Sequence, residues 1–159
     1  MMSKKNELES SNNLELPKGA LMSYDAAEAE LEAWFNYRKL RHDKRAEDQD
    51  SDFYYFRDQL IKCFMYGQLS FDNEKGTLYQ KLDFPLESDK GEIVLTEIVY
   101  KPRFSQKLVE NNKKGFKSTD SEAHFLSLIA ASTGKDARKI LSLDTVDYTV
   151  AKSISIFLA

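Results

Sequence analysis

Leu69-Ser70-Phe71-Asp72-Asn73-Glu74-Lys75-Gly76-Thr77-Leu78-Tyr79-Gln80-Lys81-Leu82-Asp83-Phe84 is the stretch on which the fold turns. Upstream of it, apolar residues recur with the helical period of about 3.6. Within it the period becomes two. Leu69 and Phe71 precede the turn signal Asp72–Gly76, whose glycine tolerates positive φ. Leu78, Gln80, Leu82 and Phe84 then alternate with Thr77, Tyr79, Lys81 and Asp83. Alternation of this kind belongs to a strand with one buried face. A hairpin over 69–84 is therefore predicted, ended by Pro85. Ser88-Asp89-Lys90-Gly91 is a further turn, and Ile93–Tyr100, rich in β-branched residues, is a third strand closed by Pro102.

Upstream, Ser23 is a predicted N-cap, with Asp25 and Glu28 near the positive end of the helix dipole. Tyr24, Ala27, Leu31, Trp34 and Phe35 form one helical stripe. It dissolves into the charged run Arg41–Asp48, either a solvated helix end or a linker. A second helix is predicted to open near Asp50 or Ser51. Its stripe is Phe53, Phe56, Leu60, Cys63 and Phe64, widened by Tyr54, Tyr55, Ile61 and Tyr66, and Gly67 stops it.

Downstream, Thr119-Asp120-Ser121-Glu122 fits a capping box in front of Phe125, Leu126, Leu128 and Ile129. Gly134 fits the C-cap, and 137–141 reads as a short helix. The last segment carries two patterns. Val146, Val150, Ile154 and Phe157 suit a helix capped by Asp144; Val146, Tyr148, Val150, Ile154, Ile156 and Leu158 alternate like a strand. Counting favours the strand, whereas the cap and the helical neighbours favour the helix, which is the reading adopted. The expected fold class is α+β: a small antiparallel sheet over about 69–100, helices over about 23–66, and a helical part over about 104–158. Residues 1–20 read as a flexible tail and 21–159 as one domain.

With 159 residues, 42% of them hydrophobic and 31% charged, the chain can bury a core of its own. Its apolar runs are too short for the roughly 20 residues of a membrane span. Lys4 and Lys5 are followed by no apolar block, so no secretory signal is read. A net charge of −3 does not suit general polyanion binding, and one cysteine makes no internal disulfide.

No catalytic, cofactor-binding or metal-binding residue is expected. His42 and His124 stand in no metal-ligand spacing. Cys63 lies on an apolar stripe without a local base, so it reads as a small buried hydrophobe. The six glycines make no phosphate-binding loop, and Asp48, Asp50 and Asp52 read as charge placement before a helix. Two segments stand out as contact surfaces. The aromatics Trp34, Phe35, Phe53, Tyr54, Tyr55 and Phe56 exceed what one helix face can bury, and such excess marks binding hot spots. Lys101, Arg103, Lys107, Lys113, Lys114 and Lys117 oppose only Glu110. That segment reads as a solvated loop between strand and helix, with a site for an acidic partner as the alternative.

The carboxyl-terminal pattern resembles the tail assembly chaperones of long-tailed bacteriophages and related prophage or contractile-particle clusters. Leu82-Asp83-Phe84-Pro85-Leu86, then Gly91 and the strand Ile93–Tyr100 with Lys101-Pro102, are similar to the family's strand ending in proline, glycine turn, second strand and basic-proline exit. Ser127–Gly134 resembles its Leu-Ile-Ala-x-x-Thr-Gly helix end, Leu143–Tyr148 its Leu-x-x-x-Asp-Tyr helix start, and Phe157-Leu158 its close. The likeness runs from Leu69 to Ala159; the amino-terminal helices go beyond the family core. It implies a non-catalytic adaptor in the host bacterial cytoplasm that coats the tape measure protein, recruits tail tube subunits, self-associates and takes no cofactor. The alternatives are a permanent tail or baseplate component and a small nucleic-acid-binding regulator.

Overall fold

In the computed structural model, which describes residues 16–114, 116 and 121–159, a three-stranded antiparallel sheet is covered on one face by helices. The elements are α1 (Tyr24–Arg38), a 3-10 turn at His42–Lys44, α2 (Tyr54–Met65), β1 (Leu69–Asp72), β2 (Thr77–Glu87), β3 (Ile93–Tyr100), α3 (Gln106–Lys113), α4 (Ser121–Thr133), α5 (Ala137–Leu141) and α6 (Thr145–Ser155). The fold class is α+β, with strand order β1-β2-β3. The expected tail residues 1–15, Lys117, and Thr119 and Asp120 of the expected capping box lie outside the described residues.

Strand alternation sorts the sheet into two faces. Leu69, Leu78, Gln80, Leu82, Ile98 and Tyr100 are buried under α1, α2, α4 and α6. Ser70, Lys81 and Glu97 stand exposed on the other face, where Lys81 and Glu97 pair across β2 and β3. At the first turn, the Asp72 carboxylate accepts the Glu74 and Lys75 N–H groups at 3.0 and 3.1 Å. Gly76 closes it at φ +69, and a Cβ there would collide with the Tyr37 ring. Gly76→Ala should therefore cost about 1–2 kcal/mol for the left-handed backbone alone, read as a lowered urea midpoint at unchanged m-value. An unchanged midpoint would mean that the turn relaxes freely.

β2 does not stop at Pro85. It runs to Glu87 through a bulge: Lys81 pairs with Glu97, but the next pair is Leu86 with Leu95. Proline lacks a donor, so it is tolerated where the ladder is already broken. The Ser88–Gly91 turn forms as expected, with the Gly91 N–H donating to the Ser88 carbonyl at 2.9 Å.

The helices also correct several expectations. Ser23 caps α1, its hydroxyl accepting the Ala26 N–H at 3.1 Å. α2 opens at Tyr54, three residues later than Ser51, because Ser51 closes a turn of its own by accepting the Tyr54 and Phe53 N–H groups. The charged run after α1 is an ordered connection: Arg45 donates to the Leu40 carbonyl at 2.9 Å and to Glu32 and Asn36 at 3.1 and 2.8 Å. The segment read as a solvated loop contains α3. Ser105 caps it by accepting the Leu108 N–H at 3.2 Å, and Val109 is buried against α4. The final segment is the helix α6, with the Asp144 carboxylate accepting the Val146 N–H at 2.9 Å. Ser153 and Ser155 sit buried there because their hydroxyls donate to the Thr149 and Lys152 carbonyls.

Candidate functional site

The six aromatic candidates part company in the structure. Trp34 and Phe35 are 1% and 0% exposed, which removes them from any surface a partner can touch. Phe35 packs on Phe157 with ring centroids 5.0 Å apart, and Trp34 lies 5.6 Å from Phe35. Phe35 is thus covered by the chain's own last turn. Phe56 is half-buried against the same core, and Tyr54 is half-buried beside α1.

What remains open is one side of α2. Phe53 is 46% exposed, Tyr55 64% and Tyr66 45%. Tyr55, Gln59, Lys62 and Tyr66 stand at i, i+4, i+7 and i+11, hence on one helical face. The Tyr55 ring meets Phe56 edge-on at 5.5 Å and 77°. Lys62 reaches Asp58 at 3.0 Å, and the hydrogen bond to that carboxylate holds its ammonium above the ordinary lysine range. A cavity of about 90 Å³ between α2 and α6 lies beside this face, lined by Tyr55, Phe56, Gln59, Cys63, Val150 and Ser153 among others. Burial pushes the Cys63 thiol up to about 12, a poor state for a nucleophile.

This face is held by ties between α1 and α2. The Tyr24 hydroxyl donates to Asp58 at 2.8 Å. Burial pushes the Asp58 carboxyl up, but the hydrogen bonds from Lys62 and Tyr24 outweigh it and hold the group below its ordinary value. Arg57 is buried between the helices, donating to Glu28 at 3.3 Å and to Glu32 at 2.7 Å. Glu32 also receives Arg45, so one carboxylate joins α1, α2 and their connection. Sequence reasoning did not single out Arg57. Its only signal is a cation directly after Phe53–Phe56, facing Glu28-x-x-x-Glu32 on the preceding helix.

The basic segment does not form one patch. Arg103 donates to the Arg38 and Tyr37 carbonyls at 3.1 and 3.4 Å and so covers the end of α1. Lys113 pairs with Glu110 at 3.3 Å, three residues along α3. Lys101, Lys107 and Lys114 are exposed, and Lys117 lies outside the described residues.

A second polar centre joins the sheet to α6. Asp147 is buried in the first turn of α6, and its carboxylate accepts the Asp83 and Phe84 N–H groups at 2.8 and 3.0 Å. Those are amides of the β2 bulge. The Asp147 carbonyl accepts Gln80 Nε2 at 2.9 Å, and Gln80 Oε1 accepts the Tyr100 hydroxyl at 2.7 Å. Burial raises the Tyr100 hydroxyl above its ordinary range. The arrangement is a structural lock with every named group satisfied.

Comparison of the chain with protein-family models, with curated proteins and with solved structures finds no match. The functional reading therefore rests on the residues themselves. Among the described residues no group of three or more His, Cys, Asp or Glu is placed to hold a metal ion. No described helix is long and apolar enough to cross a membrane.

Proposed function

We propose that the chain is a non-catalytic assembly adaptor of the phage tail chaperone type, which grips a helical, tape-measure-like protein and helps to recruit tail tube subunits in the host cytoplasm. The observation that carries the reading is the open aromatic surface of α2 and its two ends: Phe53, Tyr55 and Tyr66 are exposed, and Tyr55 lines the α2–α6 cleft. Tyrosine and phenylalanine offer large, rigid contact area at low entropic cost, and an amphipathic helix is a natural occupant of a groove between helices. The resemblance of residues 69–159 to the family supplies the identity of that helix. Adaptors on a long repetitive target act in many copies, so self-association belongs to the same proposal.

Changing Phe53 and Tyr55 to Ala should weaken binding of the co-expressed tape measure protein by about 2 kcal/mol or more, as for hot-spot residues. The melting temperature should move far less than for a core aromatic, since Phe53 and Tyr55 are 46% and 64% exposed. Calorimetric titration alongside thermal melts reads both quantities. Undiminished binding by a folded double variant would remove α2 as the gripping surface.

A further inference from the structure

A cavity of about 310 Å³ opens between the end of α1, the segment after β3, α3, α4 and the last two residues, Leu158 and Ala159. Arg38, Arg103 and His124 line it together with Phe104, Leu128 and Leu158. That volume is at the lower end of small-molecule sites. The two guanidinium groups are fixed in position by neutral partners. Arg38 donates to the Pro102 and Leu158 carbonyls, each at 3.2 Å, and Arg103 donates to the Arg38 and Tyr37 carbonyls. Carbonyls orient a guanidinium but leave its charge uncompensated. Among the described residues no carboxylate side chain lies within 4 Å of either arginine. Arg38 Nε is buried without an acceptor, between the Trp34 and Phe104 rings over which the group lies at 5.8 and 5.6 Å.

We infer that this cavity is a binding site for a carboxylate carried on an apolar stem. The arginine forks offer the paired donors that match a planar carboxylate. The Phe104, Leu128 and Leu158 side accepts the stem and suits a fully hydrated dianion poorly. Burial first, and the Arg103 charge second, lower Arg38 to about 10, a strain that a bound anion would relieve. The inference is independent of the adaptor reading, because none of these residues lies on the open side of α2.

The test is an NMR titration of the full chain at fixed pH and ionic strength, with hexanoate, acetate, N-acetyl-leucine and inorganic phosphate as separate probes. Hexanoate should give saturable shifts clustered at Arg38, Arg103, Phe104 and Leu128, with acetate weaker by about tenfold or more for want of a stem. Arg103→Gln should weaken hexanoate by about tenfold or more in a chain that still folds, its melting temperature lowered only by the loss of two exposed bonds to the carbonyls at the end of α1. Tighter binding of N-acetyl-leucine than of hexanoate assigns the site to a peptide carboxylate, and the reverse to a free aliphatic acid; both support the inference. Phosphate binding more tightly than hexanoate, shifts scattered over the surface, or hexanoate affinity that survives Arg103→Gln in a folded variant would each overturn it.

Discussion

Replacing Asp147 by Ala is expected to cost about 3–5 kcal/mol, since it removes two hydrogen bonds to a carboxylate at roughly 1.5–3 kcal/mol each. The carboxylate accepts two N–H groups that the β2 bulge has taken out of the ladder. Alanine returns neither bond. Water cannot easily replace it, since Asp147 is buried against the sheet. Asp147→Asn should recover part of the loss, because an amide oxygen serves one N–H while its NH₂ group faces the other. Urea unfolding of the three proteins gives the ranking. A cost below about 1 kcal/mol for the alanine variant, the scale of one ordinary hydrogen bond, would show that the bulge amides find other acceptors.

Trp34→Ala should cost a similar about 3–5 kcal/mol, by cavity formation. Its ring is buried against Phe35 and under the Arg38 guanidinium. Domains of this size are stable by roughly 5–15 kcal/mol in total, so the variant should melt far below the parent. Tyr55→Ala is the contrasting case and should stay within about 0.5 kcal/mol of the parent. Thermal melts of both separate the core aromatics from the open ones. Equal losses at the two positions would contradict the burial described for either.

These two positions also show what was legible in the sequence. The strands announced themselves because alternation of buried and exposed side chains is a local property of a half-covered sheet, and β3 falls on Ile93–Tyr100 as read. Ser23 and Asp144 announced their helices for the same local reason. Pro85 misled because the acceptor that rescues the bulge amides comes from α6, and no local pattern links Asp147 to Asp83. α3 falls inside the helical part expected over about 104–158 but left no stripe of its own, because it buries only Val109, and the lysines around it read as a solvated loop. The aromatic surplus was real, but its division was not legible. Phe35 is covered by Phe157, more than a hundred positions away, and Trp34 packs beside Phe35, whereas Phe53 and Tyr55 stay 46% and 64% exposed. The carboxylate cavity was invisible for the same reason: Arg38, Arg103 and His124 come from three distant segments, and only Arg103 had been marked, as part of a charge run.

The bulge has a consequence for the order in which the chain can acquire its structure. Asp83 and its acceptor Asp147 lie 64 positions apart. A chain emerging from its amino-terminal end presents all three strands well before α6 exists. Until then the middle of β2 has two amides without a protein acceptor, and the inner face around Leu78, Gln80 and Leu82 lacks its α6 cover. A sheet in that condition is an incomplete object, held by its turns and by α1, α2 and α4. Completion waits for a distant contact whose closure entropy must be met in one step. The native state is thus reached late and all together, and a nascent or truncated chain without α6 exposes an apolar sheet face on which a neighbouring copy can stick.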